Sequence, residues 1–443
     1  MRLSVIGCGY LGAVHAAAMA SIGHDVIGID VDARKIAALS AGQAPFFEPG
    51  LQEILSEGIA SGRLRFTTDP AAAKGAAVHF VGVGTPQQRD GDAADLSYVH
   101  AAVDALLPHL SPGDIVAGKS TVPVGTAAML APRVADRGAT LVWNPEFLRE
   151  GWAVQDTVDP DRLVVGVPFD ASTGVASEAG RRAARILREV FHTAVAKDTP
   201  FIVTDYATAE LVKVAANAFL ATKISFINAM AEIAEVAGAD VTQLADAIGH
   251  DPRIGRRFLG AGIGFGGGCL PKDIRAFAAR AEELGRGESV NFLREVDAIN
   301  LRRRERAVQL VVDALGGSVF DKNVTVLGAA FKPHSDDVRD SPALEVAVRL
   351  RGLGARVTVT DPEALGNAAR LHPQLTYVED RDEALRGADA VLLVTEWDLY
   401  RRELSPEHAA TLATGRIVID GRNAFDPAAW RAAGWTYHGM GRP

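Results

Sequence analysis

Residues 2–12 read RLSVIGCGYLG, a short β-branched run that passes straight into Gly7, Gly9 and Gly12 at G-x-G-x-x-G spacing. The glycines permit a tight turn, close approach of backbone to a pyrophosphate, and a helix packed hard on its strand. The helix N-terminus behind them favours an anion. The pattern carries weight only with a strand before it, a helix after it and an acid about 20 residues on. Here RLSVIG, YLGAVHAAAMASIG and HDVIGID follow one another, the last ending in Asp30. A dinucleotide site is therefore predicted. Asp30 at a strand end would accept hydrogen bonds from ribose hydroxyls and repel a ribose phosphate, so NAD is expected in preference to NADP. Cys8 is taken as a small residue inside the loop.

The same alternation continues through GAAVHFVGVGTP and GDIVAGKSTVP, and it returns near the C-terminus. NVTVLG mirrors RLSVIG, ARVTVTDP mirrors HDVIGIDV, GADAVLLVTE mirrors GAAVHFVGVGTP, and GRIVIDGRN mirrors GDIVAGKST. Strands alternating with helices imply parallel sheets covered on both faces. The predicted class is α/β: two Rossmann-like doubly wound parallel-sheet domains joined by a central long-helix region. The boundaries are placed at 1–200 for the NAD-binding domain, 201–300 for a helical dimerisation domain, and 301–443 for a nucleotide-sugar-binding domain. The second unit lacks the glycine fingerprint, since AAFKPHSDDVRDSPA follows Gly328, so a different ligand is expected there. Residues 205–238 carry no proline and no internal glycine and predict a long helix or helix pair. Leu211, Val214, Phe219, Ile224, Phe226, Ile227 and Ile233 give it more than one apolar face. Two α/β domains cover part of that surface, and the same helix of a second chain would cover the rest, so a homodimer is expected.

The 443 residues exceed one ordinary core, and 46 basic against 55 acidic residues give a charge of −9. That balance disfavours nucleic acid as a partner. No apolar run approaches the ~18 residues of a membrane helix, and the N-terminus lacks a signal-peptide pattern. Two cysteines make no disulfide framework. A cytoplasmic protein is expected, without membrane or metal.

Cys269 sits in GFGGGCLPKD, after a glycine run and before Lys272 and Asp273. A reactive cysteine needs access and nearby positive charge, which Lys272 or Lys213 could supply. A thiolate can attack an aldehyde, lose hydride to NAD as a thiohemiacetal, and leave a thioester for water to hydrolyse. A small buried cysteine in a tight turn is the alternative. Lys213 and Asn217 lie four apart on one helix face. They fit a snorkelling lysine and an interhelical amide equally well. Glu146 and Glu150 in WNPEFLREG are compatible with solvated loop carboxylates. Ser120 and Thr121 stand where ligands bind in open α/β sheets, though helix capping would also explain them.

Together these segments resemble the UDP-glucose/GDP-mannose dehydrogenase family over essentially the whole chain, in order: GCGYLG, Asp30, STVPVGT, NPEFLREG, KVAANAFLATKISFIN, RIGRRFL, GFGGGCLPKD and FKPHSDDVRDSP. The cysteine motif is the most specific of them. The resemblance implies that Cys269 is the nucleophile. Lys213 and Asn217 would bind the sugar and stabilise the oxyanion, and Asp273 with Thr121 and Glu150 would position the hydrolytic water. It assigns Gly7, Gly9, Tyr10, Leu11, Gly12, Asp30, Lys35, Thr85, Pro86, Ser120, Thr121, Glu150, Lys272 and Arg339 to NAD. To the nucleotide-sugar it assigns Glu146, Phe147, Leu148, Lys213, Asn217, Phe258, Gly260, Gly264, Phe265, Gly266, Phe331, Lys332 and Arg422. Arg253 would reach the neighbouring chain's sugar site in the dimer. KISFINAMAEIAE and RIGRRFL resemble the UDP-glucose branch more than the GDP-mannose branch. UDP-glucose is the expected substrate, with GDP-mannose and UDP-N-acetylmannosamine as alternatives. A silent sugar-nucleotide binder and a two-electron hydroxyacid dehydrogenase are the rivals from other classes. The family usually has serine before the cysteine, where this chain has Gly268, a change expected to loosen the loop. His334 and Ser335 stand where Asn-Thr is common.

Overall fold

The computed structural model describes residues 1–170 and 172–443. By internal contacts the chain divides into Met1–Ala216 and Asn217–Pro443. The first unit holds β1 (Arg2–Ile6), β2 (Asp25–Ile29), β3 (Leu64–Thr67), β4 (Val78–Val81), β5 (Ile115–Gly118), β6 (Thr140–Trp143), β7 (Leu163–Gly166) and β8 (Phe201–Thr204). They pair in the order β3-β2-β1-β4-β5-β6-β7-β8. The second unit holds β9 (Asn323–Leu327), β10 (Arg356–Thr360), β11 (Thr376–Tyr377), β12 (Ala390–Leu393), β13 (Ile417–Asp420) and β14 (Thr436–Gly439), ordered β11-β10-β9-β12-β13-β14. Both sheets thus carry the doubly wound 3-2-1-4-5-6 order, with the strand order reversing beside the first strand. The fold class is as the sequence implies. One detail differs: β7 runs antiparallel to β6, and β8 parallels β7, so the far edge of the first sheet is reversed.

Strands VHFV and IVAG are buried along their whole length because helices cover both faces of the sheet. Residues Tyr206–Ala237 form one unbroken 32-residue helix, and the division between the units falls within it. By length and hydropathy this helix could cross a bilayer, which run length alone did not foretell. Its polar groups instead bind protein. Glu210 accepts the amides of Gly125 and Ala127, Ser225 Oγ donates to Val296 O, and Glu235 pairs with Arg303 and Arg306. Val214 and Ile227 are buried, whereas Leu211, Phe219, Phe226 and Ile233 stay exposed at intervals of seven or eight residues, one stripe along the helix.

Three histidines are buried in the first unit, and two of them, His15 and His79, are wholly so. His15 lies between the rings of Phe80 and Phe191, and neither ring nitrogen has a hydrogen-bond partner. His79 Nδ1 lies 2.7 Å from Ser4 Oγ, and its Nε2 lies 3.4 Å from Asp114. That line has the residue types of a nucleophilic triad, but Ser4 and His79 are wholly buried, so it serves the sheet. Burial holds both imidazoles below the ordinary histidine range; Lys119 adds to this at His15, and Asp114 opposes it at His79. Above about pH 6.5 both folded and unfolded forms are neutral there. Below it the unfolded chain takes up protons that the folded chain refuses. Stability should therefore stay level from pH 8 to 7 and fall by up to about 1.4 kcal/mol per unit for each histidine as pH drops further. Urea midpoints across pH 8 to 5 measure this, and His15→Leu should flatten part of the slope. A level wild-type profile would contradict it.

Candidate active site

The first site forms where β1 runs out at the reversal of strand order. Gly7 has φ +88, and a Cβ there would stand 2.6 Å from Val83. A Cβ at Gly12 would stand 1.8 Å from Gly7 O, so only glycine lets this helix close on its strand. Gly9 caps the helix Tyr10–Ser21 without a side-chain hydrogen bond, and nothing lies within 4 Å of its absent Cβ. Orphan amides at a helix N-terminus beside open space suit a pyrophosphate. Leu11 follows Tyr10 in the helix's first turn. At the end of β2, Asp30 accepts hydrogen bonds from Cys8 N at 2.8 Å, Asp32 N at 2.9 Å and Lys35 Nζ at 2.9 Å. The residues present therefore fit the adenosine end of a dinucleotide.

The second sheet has the same plan with its cradle closed. Asp361, the counterpart of Asp30, accepts the amides of Ala329, Ala330, Glu363 and Ala364 and the indole of Trp397. Its hydrogen-bonding capacity is taken up by the chain itself, which agrees with the expectation of a different ligand for the repeat.

Two further loops of the first unit hold predicted residues. Thr85 Oγ1 donates to Thr121 O at 2.8 Å and Ser120 Oγ to Val83 O at 2.6 Å, which ties the loop after β4 to the loop after β5; Pro86 follows exposed. Glu146 Oε1 accepts the amides of Phe147 and Leu148. Its Oε2 lies 3.0 Å from Lys119 Nζ, a lysine 4% exposed that also donates to Asn144. The Lys213 ammonium stands 5.5 Å above the Phe147 ring. Glu150 is buried at the end of the same loop.

In the second unit Cys269 is exposed at the N-cap of the helix Leu270–Glu283. Asn217 Nδ2 donates to Asp273 Oδ2 at 2.6 Å, Lys272 Nζ bonds the other oxygen, and Asp273 N donates to Cys269 O at 3.0 Å. The glycine run before the cysteine is explained by what presses on it. A Cβ at Gly264 would stand 2.3 Å from Asn300 Oδ1, and one at Gly266 would stand 2.1 Å from Asp340 O. One at Gly268 would stand 2.3 Å from the Arg339 guanidinium carbon. A serine there would displace that guanidinium, so Gly268 leaves the loop covered by arginine. Asn300 grips Phe265 at both N and O, and Arg304 also donates to Phe265 O. Arg422 donates to Gly264 O, Phe331 O and Val394 O, gathering three loops; Lys332 stands over the Phe331 ring. Gly260 is exposed in the approach to this run. Arg253 and Phe258 lie on an exposed loop, Arg253 paired with Asp251 and Phe258 at φ +66.

Thus the first unit gathers the dinucleotide cradle, Thr85, Ser120, Thr121, Glu146 to Glu150 and Lys213, and the second gathers Asn217, Asp273, Cys269, the glycine run, Phe331, Lys332, Arg339 and Arg422. Lys119, Asn300 and Arg304 support these groups and were missed. Only Lys119, inside GKSTVP, stood next to a segment that had been singled out. Among the described residues no cluster of His, Cys, Asp and Glu could hold a metal.

The two thiols differ sharply. Burial, aided by Asp30, pushes the Cys8 thiol up to about 12. Iodoacetamide at neutral pH should alkylate Cys269 in the folded protein and reach Cys8 only after denaturation, as peptide mass mapping would show. Comparable labelling of both in the folded state would contradict this.

An open dinucleotide cradle, a second sheet with its cradle closed, and an exposed thiol at a helix N-terminus define the class: a dinucleotide-binding α/β protein with a candidate nucleophile. Comparison with known proteins narrows this. Residues 1–192 match the NAD binding domain of the UDP-glucose/GDP-mannose dehydrogenase family, residues 207–302 its central domain, and residues 325–427 its UDP binding domain. The chain is 41% identical over 448 residues to a UDP-glucose 6-dehydrogenase of Rhizobium meliloti (strain 1021), covering 100% of both. Among solved structures it resembles a UDP-glucose dehydrogenase from the archaeon Pyrobaculum islandicum, with TM-score 0.88, 39% identity, and coverage of 100% and 98%. A UDP-D-ManNAc dehydrogenase from Pyrococcus horikoshii gives TM-score 0.84 at 27% identity, with coverage of 100% and 99%. The chain belongs to the UDP-glucose/GDP-mannose dehydrogenase family. It is an oxidoreductase that uses NAD.

Proposed function

We propose that the protein oxidises the C6 alcohol of UDP-glucose to the carboxylate of UDP-glucuronate through Cys269, in two two-electron steps. The observation that carries the substrate is the contrast in similarity: 41% and 39% identity to proteins named for UDP-glucose, against 27% to one named for UDP-N-acetylmannosamine. Bound NAD supplies the hydride acceptor for each oxidation. Asp30 and Lys35 orient the adenosine ribose, and Thr85, Pro86, Ser120, Thr121, Lys272 and Arg339 complete the cofactor site with the Gly7–Gly12 turn. Cys269 adds to the aldehyde carbon, and the tetrahedral oxyanion is stabilised by Lys213 and Asn217. Loss of hydride leaves a thioester. Asp273, with Thr121 and Glu150, orients the water that hydrolyses it and returns the thiolate. Glu146 and Phe147 to Leu148 lie against the sugar. Gly260 to Gly266 with Phe258, Phe331, Lys332 and Arg422 hold the nucleotide. The working division is 1–200, 201–300 and 301–443, supported by the similar limits of the family matches.

The exposed Leu211, Phe219, Phe226 and Ile233 stripe supports a homodimer in which two long helices cover one another, with Arg253 directed to the partner's sugar site. A cytoplasmic location follows from the same reading, since a reducing compartment keeps the exposed Cys269 usable. The substrate is tested by kcat/KM with NAD and UDP-glucose, GDP-mannose and UDP-N-acetylmannosamine. UDP-glucose should lead by at least about 10²-fold, the scale set by pocket groups left unpaired with the wrong ligand. A lead for either alternative would overturn the choice.

A further inference from the structure

The segment FFEPG, residues 46–50, has no part in the reading so far, yet it carries one of the few buried carboxylates of the first unit: Glu48 is 5% exposed. Its placement is fixed locally. Leu51 N donates to Glu48 O at 3.2 Å, with Pro49 and Gly50 between them and Gly50 at φ +77, ψ −6. This is a type II turn, with proline and glycine at the positions it favours. A residue leading such a turn has little backbone freedom.

The carboxylate joins two parts of the proposed site. Oε2 accepts Gly151 N at 2.6 Å and Oε1 accepts Ala153 N at 2.7 Å, so Glu48 satisfies amides where the glutamate loop enters the helix Ala153–Val158. Oε2 also accepts the hydroxyl of Tyr10, the first residue of the dinucleotide helix, and Gly151 N lies 3.3 Å from the same hydroxyl. The Tyr10 ring packs tilted against Phe46, with centroids 4.7 Å apart. Burial first, then the Glu48 bond, holds the phenol well above its ordinary range, so it stays a donor. The residue before Gly151 is Glu150. From the other side Arg149 holds the loop through its amide and guanidinium on Asp156.

We propose that Glu48 is a positioning residue for the reaction: by bonding Tyr10, Gly151 and Ala153 together it sets the Glu150 turn against the start of the dinucleotide helix, so that binding of the dinucleotide and placement of Glu150 are coupled. The consequence for turnover rests on the reading of Glu150 given above; the coupling itself does not. A shift of ~1 Å in a catalytic group can cost on the order of 10²-fold in rate. The bond between Tyr10 and Glu48 is therefore the sensitive one.

Two measurements on the full chain separate the claims. Hydrogen exchange of residues 149–155, with and without NAD alone, tests the coupling. NAD should slow exchange there in the wild type. Tyr10→Phe, which keeps the ring and both backbone bonds of Glu48, should lose most of that slowing when NAD is saturating for each protein. Equal slowing in Tyr10→Phe, or none in the wild type, would overturn the proposal. Turnover then tests the positioning. Tyr10→Phe and Glu48→Gln should each lower kcat at least about fivefold, and the double variant should fall no further than the worse single, because one linkage is broken in every case. Unchanged kcat in both, or a loss confined to the KM for NAD, would show that Glu48 only builds the cofactor pocket. If no sugar-nucleotide yields NADH in the wild type, the functional reading fails, and the exchange experiment still decides the coupling.

Discussion

Cys269→Ala should abolish formation of the acid, with a fall in kcat of at least about 10³-fold, while the nucleotide-sugar still binds within a few-fold of wild type. The size follows from covalent catalysis: without the thiolate no thioester forms, and residues that act as one unit lose nearly all their effect when one is removed. The sugar should still bind because the cradle proposed for it is made elsewhere. Gly264, Phe265 and Phe331 are held by Asn300, Arg304 and Arg422, none of which touches the sulfur through any of these bonds. Isothermal titration with UDP-glucose and product analysis after long incubation measure both parts. Acid formation at wild-type rate would show that the cysteine only shapes the loop.

Asp273→Asn should lower kcat by about 10²-fold or more, the range for loss of a positioned acid or base, and should leave a covalent sugar adduct on Cys269. In the folded chain Asp273 is 3% exposed and bonds Asn217 through one oxygen and Lys272 through the other. Both partners donate, so both need an acceptor. An asparagine offers one acceptor and one donor, and one of the two contacts becomes donor against donor. The oxidations do not need the Asp273 charge in the proposed scheme, whereas hydrolysis does. The thioester should therefore persist after the first turnover. Intact-protein mass spectrometry after rapid quenching would detect it, together with a burst of NADH. A uniform slowing with no adduct would place Asp273 before the thioester instead.

Much of this architecture can be read along the chain because it is written in short-range patterns. RLSVIG and NVTVLG each end in the glycine that turns the first strand of a sheet, and the fourfold echo between the two halves foretells two sheets of one order. The long helix is foretold by the absence of proline and glycine. What stayed hidden is long-range. Glu48 meets Gly151 across 103 residues and Glu210 meets Gly125 across 85. An acidic side chain in a turn signature shows nothing of the amides it will find after folding. Lys119 stands unmarked in GKSTVP, and only the pairing of β5 with β6 brings it to Asn144 and Glu146. The reversal of β7 and β8 was hidden for a different reason: LVVG and FIVT are apolar runs whose composition carries no direction. The glycine run is intermediate. Its residue types announce close packing, but not that Asn300, Asp340 and Arg339 do the packing.

The central claim, four-electron oxidation through a cysteine thioester, is tested most directly by stoichiometry. Purified protein, excess NAD and a limiting amount of UDP-glucose are run to completion, NADH is read from absorbance, and the sugar product is identified by mass. The account predicts two NADH for each UDP-glucose consumed, with UDP-glucuronate as the only sugar product. One NADH for each sugar, with the free aldehyde as the main product, would contradict it.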